Sequence, residues 1–112
     1  MILKPMLIAL LGAASVMGTM AAATAAAAPT VSAGARLAAT CAACHGTNGD
    51  THGSTLPRLA GQPQQALSAS LHAFKTGQRT STIMTQIAKG YTDEQLDLLA
   101  AYFAAQKPGA AK

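Results

Sequence analysis

The chain has 112 residues, a length that fits one domain. Its formal net charge is +4, only 4% of its residues are aromatic, and its lysines and arginines form no run. This composition gives no specific support for nucleic-acid binding. A weakly negative protein partner is a better match for the mild excess of positive charge.

Residues 1–28 are typical of a cleaved secretory signal peptide. Lys4 is the only charge, an apolar run follows from Met6 to Met20, and small residues continue through Ala28 with several Ala-x-Ala sites. The alternative is a membrane anchor, but the apolar run is shorter than the roughly 20 residues of a span. We therefore expect export to the periplasm, no stable membrane span, cleavage within 23–28, and one mature domain at 29–112.

The first predicted helix covers about Ser32 to Thr40 and leads into the sequence Cys41-Ala42-Ala43-Cys44-His45. C-x-x-C-H is the attachment sequence for a c-type haem. Two thiols on one helical turn form thioethers with the porphyrin vinyl groups, and the histidine binds the iron. The motif therefore predicts one covalent haem c, with Cys41 and Cys44 as attachment residues and His45 as proximal ligand.

Three other interpretations of the cysteine pair remain open at this point. A thioredoxin-like dithiol belongs in a βαβ setting, and no strand pattern precedes Cys41. A zinc site needs a second ligand pair, for which His52 is the one nearby candidate. A disulfide between Cys41 and Cys44 would close a very small loop. The histidine directly after Cys44 favours haem.

The glycine-rich segment Gly46 to Leu56 predicts a tight loop around the haem edge. His52 lies in this loop, where a solvated side chain is the expected role and a second iron ligand is the alternative. Pro57 follows the loop. We expect its carbonyl to accept a hydrogen bond from His45, which fixes the orientation and tautomer of the ring.

The next predicted helix begins at Gln62-Pro63, with Pro63 at the first helical position, and ends at Gly77. An apolar stripe runs along it at the spacing i, i+4 and i+7, formed by Leu67, Leu71 and Phe74. His72 lies beside the stripe. We expect it to be a partly exposed helix residue rather than an iron ligand.

Met84 is the one methionine outside the predicted signal peptide. A thioether is a soft ligand that suits haem iron and favours its reduced state. The position of Met84, well after the haem motif, predicts that it is the second axial ligand. The alternative role is filling of the core.

The final predicted helix begins with a capping box, in which Thr92 is the N-cap and Gln95 is the third helical residue. It runs to about Gln106, before Pro108. Its apolar stripe contains Leu96, Leu99, Ala100 and Phe103, widened by Leu98 and Tyr102. With no strand signal anywhere, the sequence predicts a small all-α fold wrapped around one covalently attached haem.

These features together resemble a class I c-type cytochrome. The resemblance implies His/Met ligation of the haem iron and a crossing of the first and last helices near Gly34, Leu37 and Tyr102. Within that class, the segments F-K-T-G-Q-R and S-T-I-M-T-Q-I-A-K-G-Y-T at 74–79 and 81–92 are similar to the cytochrome subunit of flavocytochrome c sulfide dehydrogenase. This chain has one haem motif, whereas the best-known form of that subunit has two.

The resemblance implies electron transfer from a flavoprotein that oxidises sulfide on FAD, in a heterodimer with this chain, and onward to a soluble acceptor. No catalysis is expected from this chain alone. The alternative is a free periplasmic monohaem carrier that serves a terminal oxidase or reductase. A peroxidase is disfavoured because Met84 would close the iron position. The expected docking face surrounds Cys41 and Met84, with Arg58, Arg79 and Lys89 as candidate contacts.

Overall fold

The structure, a computed structural model, describes residues 30–109. The predicted signal peptide at 1–28 lies outside them. The described residues contain five α-helices and no strand, so the expected all-α class is confirmed. The helices are α1 (Ala33–Ala38), α2 (Ala42–His45), α3 (Gln64–Thr76), α4 (Met84–Lys89) and α5 (Asp93–Ala104), and short 3-10 turns cover Ala39–Cys41 and Thr47–Gly49.

Helix α1 begins at a capped N-terminus. The Ser32 hydroxyl accepts a hydrogen bond from the Ala35 N–H at 3.2 Å, which satisfies one of the free amides of the first turn. The α-helical geometry ends at Ala38, two residues before the predicted limit. The chain then tightens into the 3-10 turn that delivers Cys41 to the start of α2.

Helices α1 and α5 cross at Gly34, as the resemblance implied. A Cβ atom at Gly34 would lie 2.8 Å from the Leu98 carbonyl oxygen and 3.1 Å from the Tyr102 Cβ atom. The first distance is shorter than a normal contact and involves backbone, which moves less easily than a side chain. Glycine at this position therefore allows the two helices to approach closely.

Gly34→Ala should destabilise the protein because the added methyl group overpacks the α1–α5 crossing. The expected loss is about 1–3 kcal/mol of unfolding free energy, measured by thermal unfolding of the haem-loaded protein. Gly90→Ala is the matched control. Gly90 also has a negative φ, and the nearest atom to a Cβ there is the Ile87 carbonyl oxygen at 3.3 Å. Equal unfolding temperatures for the two variants would contradict the close crossing.

Helix α3 begins one residue later than predicted. Pro63 is its N-cap, with φ −56° and ψ 131°, and not its first helical residue. The extended ψ turns the chain into the helix, while the missing proline N–H costs nothing at a position outside the helical ladder. Gly77 ends the helix as predicted, in the left-handed conformation at φ 78°. Leu67 is buried, while Leu71 and Phe74 are half-buried.

The predicted capping box of α5 is confirmed. The Thr92 hydroxyl accepts from the Gln95 N–H at 3.1 Å, and the Gln95 side chain accepts from the Thr92 N–H at 2.9 Å. The helix ends at Ala104, before the predicted limit at Gln106. Its predicted stripe, Leu96, Leu99, Ala100 and Phe103, is buried and packs with Ala38 and Leu67. The prediction that Leu98 widens the stripe is wrong, because its side chain is exposed and its backbone carbonyl faces Gly34.

Polar contacts hold α3 and α5 together along their outer edge. Asp97 accepts hydrogen bonds from Ser68 at 2.6 Å and from His72 at 3.0 Å, and both bonds lower the pKa of its carboxyl group. Lys75 contacts Asp93 at 2.6 Å and holds the pKa of that carboxyl group below its usual value. His72 is therefore engaged with α5 carboxylates and partly exposed.

Candidate functional site

The two cysteines lie on either side of one short turn. Cys41 ends the 3-10 turn and is half-buried, whereas Cys44 lies within α2 and is exposed; no disulfide joins them. Gly46 ends α2 with φ 79°, and a Cβ atom there would lie 1.8 Å from the Asp50 carbonyl oxygen. Only glycine therefore lets the chain fold back directly after His45.

His45 is buried, and one side of its ring is fixed. Its Nδ1 atom lies 2.8 Å from the Pro57 carbonyl oxygen, which is the contact predicted from the sequence. A carbonyl only accepts, so Nδ1 carries the proton and the lone pair is on Nε2. Nε2 has no hydrogen-bond partner among residues 30–109. This is the tautomer and orientation that an iron-binding histidine needs.

Burial raises the pKa of the Cys41 thiol above its ordinary value. The neighbouring Thr40 side chain opposes this rise in the pKa, and a thiolate at Cys44 would add to it. Within residues 30–109, no group of three or more His, Cys, Asp or Glu side chains is placed to bind a metal ion.

The loop after the haem motif is anchored by Asp50, a buried residue that the sequence analysis missed. Its carboxylate accepts hydrogen bonds from the backbone N–H of Gly109 and, at 3.1 Å, of His52. Both bonds lower the pKa of the Asp50 carboxyl group. Asp50 therefore joins the loop to the chain beyond α5. His52 itself is exposed, and no local sequence signal distinguishes Asp50 from a solvated loop aspartate.

Met84 is the first residue of α4 and is half-buried. The turn before it is ordered by Ser81, whose hydroxyl accepts a hydrogen bond from the Thr85 N–H at 2.9 Å. Helix α4 packs against α3. The structure thus places Met84 on a short helix of its own, and its role as an iron ligand stays a prediction.

The apolar side chains of the molecule fit a large apolar cofactor. Eight apolar residues are buried among those described, and four of them are alanines (Ala38, Ala60, Ala88 and Ala100). A core of this size needs an additional stabilising element. Leu56 and Ile83, the neighbours of Pro57 and Met84, are 44% and 59% exposed. A porphyrin bound between the two predicted iron ligands would cover apolar surface of this kind.

Comparison with known proteins identifies the family. The family model for cytochrome c matches residues 31–107. The cytochrome subunit of sulfide dehydrogenase from Chlorobaculum tepidum is 45% identical over 74 residues, which are 66% of each chain. Cytochrome c4 from Pseudomonas aeruginosa is 43% identical over 67% of this chain and 37% of its own. Cytochrome c-554(548) from Halomonas halodenitrificans is 39% identical over 61% of this chain and 86% of its own. The chain thus spans less than two thirds of the first two relatives.

The chain belongs to the cytochrome c family, in its class I branch. It therefore carries covalently bound haem c, with Cys41 and Cys44 in the attachment motif, and it is an electron-transfer protein. No helix within residues 30–109 is both long and apolar enough to cross a membrane.

Proposed function

We propose that this cytochrome is the periplasmic haem subunit that accepts electrons from an FAD-containing flavoprotein during sulfide oxidation. The observation that carries the proposal is the 45% identity to a cytochrome subunit of sulfide dehydrogenase. The similarity of the segments at 74–79 and 81–92 to that subunit adds support. The signal peptide expected at 1–28 would bring the chain to the periplasm, where haem c is attached.

Four side chains would hold the haem: Cys41 and Cys44 through thioether bonds, and His45 and Met84 as axial ligands. When bound, haem c supplies an iron centre that gains and loses one electron at a time. The protein orients the iron ligands and tunes the reduction potential of the haem. Pro57 fixes the His45 ring through Nδ1, and the neutral Met84 sulfur favours the reduced state.

The proposed docking face surrounds the haem-attachment turn and the Met84 helix. Arg58 follows Pro57, and Lys89 ends α4; both side chains are exposed. Arg79 is less free, because its guanidinium lies 4.7 Å from the centre of the Phe74 ring and donates to the Ser70 hydroxyl at 3.0 Å. Arg58 and Lys89 are therefore the charges to test first.

Reduction of the haem-loaded protein by the flavoprotein of its native source, with sulfide as donor, tests the proposal by stopped flow. Rim charges act mainly on association rate. Arg58→Gln and Lys89→Gln should each slow reduction at low salt by about two- to fivefold, an effect that disappears at high salt. Lys75→Gln is the matched control, because Lys75 is paired with Asp93 on the α3–α5 edge. No reduction of wild type by the flavoprotein would contradict the proposed function, and equal rates in all variants would contradict the docking face alone.

A free periplasmic monohaem carrier, serving a terminal oxidase or reductase, is the second candidate. The match to cytochrome c-554(548) favours it, because that match covers 86% of that relative's length. Purification from the native source separates the two candidates. A subunit should co-elute with a flavin-containing protein in equal amounts, whereas a carrier should elute alone.

A further inference from the structure

Two hydroxyl groups join parts of the chain that lie 51 residues apart. The Thr40 and Tyr91 hydroxyl oxygens are 2.9 Å from each other. Thr40 directly precedes the first haem-attachment cysteine, and Tyr91 lies just beyond the end of α4. The pair therefore connects the haem-attachment turn to the segment that carries Met84.

The direction of this hydrogen bond follows from the other partners of Thr40. Its hydroxyl donates a hydrogen bond to the Leu37 carbonyl oxygen at 3.2 Å. A threonine has one hydroxyl proton, and because a carbonyl can only accept, that proton is used toward Leu37, so toward Tyr91 the Thr40 oxygen is an acceptor. Tyr91 is therefore the donor.

Tyr91 is itself held firmly to α4 and to the core, so its bond to Thr40 restrains the position of α4. Its ring is half-buried against the hydrophobic core, and its backbone N–H donates to the Ala88 carbonyl at 3.2 Å, which ties it to the last turn of α4. Among the hydrogen bonds within residues 30–109, the Thr40–Tyr91 bond is the one that links segment 79–91 to segment 33–49. The main packing partner of α4 is α3, not the haem-attachment turn.

We propose that Tyr91 and Thr40 are positioning residues that hold the Met84 helix against the haem-attachment turn and so oppose displacement of Met84 from the iron. This inference rests on the proposed role of Met84 as axial ligand. Without the bond, α4 could separate from the turn while its packing on α3 persists. The Met84 sulfur would then yield its position to a competing ligand more readily.

Imidazole titration of the oxidised, haem-loaded protein tests the inference. Imidazole replaces a methionine ligand and removes the weak far-red sulfur-to-iron band. Tyr91→Phe should raise the apparent imidazole affinity about three- to tenfold, the effect expected from loss of one net hydrogen bond. Thr40→Val should give the same change, the double variant no more than either single one, and Thr40→Ser should restore wild-type affinity.

Tyr102→Phe is the matched control. Tyr102 is the other tyrosine of the chain, is also half-buried, and donates to the Asn48 side chain at 2.6 Å, but it belongs to α5. Its loss should lower the unfolding temperature and leave the imidazole affinity within about twofold of wild type.

The outcomes separate this inference from the one on which it rests. If wild type shows the far-red band but Tyr91→Phe binds imidazole as wild type does, the positioning role is wrong and the Met84 assignment stands. An equal rise in Tyr91→Phe and Tyr102→Phe would show general loosening and would also overturn it. A wild-type spectrum without the band would overturn the Met84 assignment and this inference together.

Discussion

Replacement of both Cys41 and Cys44 by serine should abolish covalent haem attachment. Each cysteine provides one thioether, and the chain has no other cysteine. The haem stain of a denaturing gel, run after boiling, should disappear from the double variant. It should persist in Met84→Ala, because an axial ligand is not a covalent attachment. A full-length double variant that stays stained would contradict the assignment.

The same double variant should lose most of its folded structure. The buried apolar set among the described residues contains only four large side chains, Leu67, Leu96, Leu99 and Phe103. Small domains of this kind depend on an added stabilising element. A far-ultraviolet circular dichroism spectrum near that of a disordered chain is the expected result.

Local patterns explain how much of this fold the sequence predicts. The Thr92 and Gln95 capping box and the Gly77 stop act between residues a few positions apart, so the sequence shows them directly. The haem motif is local as well. Its specificity comes from three side chains that share one turn, which is why the cofactor could be predicted before the fold.

Long-range pairings explain what the sequence does not predict. Asp50 and Gly109 meet across 59 residues, and Thr40 and Tyr91 across 51. A loop aspartate, a threonine and a tyrosine carry no mark of such partners, because the pairing depends on how the helices pack. Leu98 shows the same limit: its spacing fits the apolar stripe, but the close approach of α1 at Gly34 uses its backbone and leaves its side chain exposed.

Two tertiary contacts could be suggested from the sequence for a different reason. Pro57 has no backbone N–H, so its carbonyl oxygen is its one backbone hydrogen-bonding group. This made it a candidate acceptor for His45, and the His45 Nδ1 atom lies 2.8 Å from that oxygen. Gly34 interrupts a helix of otherwise good formers, which suggests a packing role. In both cases a residue with unusual backbone chemistry indicates a tertiary contact.

Met84→Ala should remove the far-red sulfur-to-iron band of the oxidised protein and lower its reduction potential. The thioether favours the reduced state, and no second methionine lies in the predicted mature chain to replace it. Ile87→Ala, a half-buried position on the same helix, is the control and should keep the band. Persistence of the band in Met84→Ala would contradict the assignment. His72 would be a poor replacement for Met84 as iron ligand, because its ring already bonds Asp97. His52 in the exposed loop would then be the better candidate.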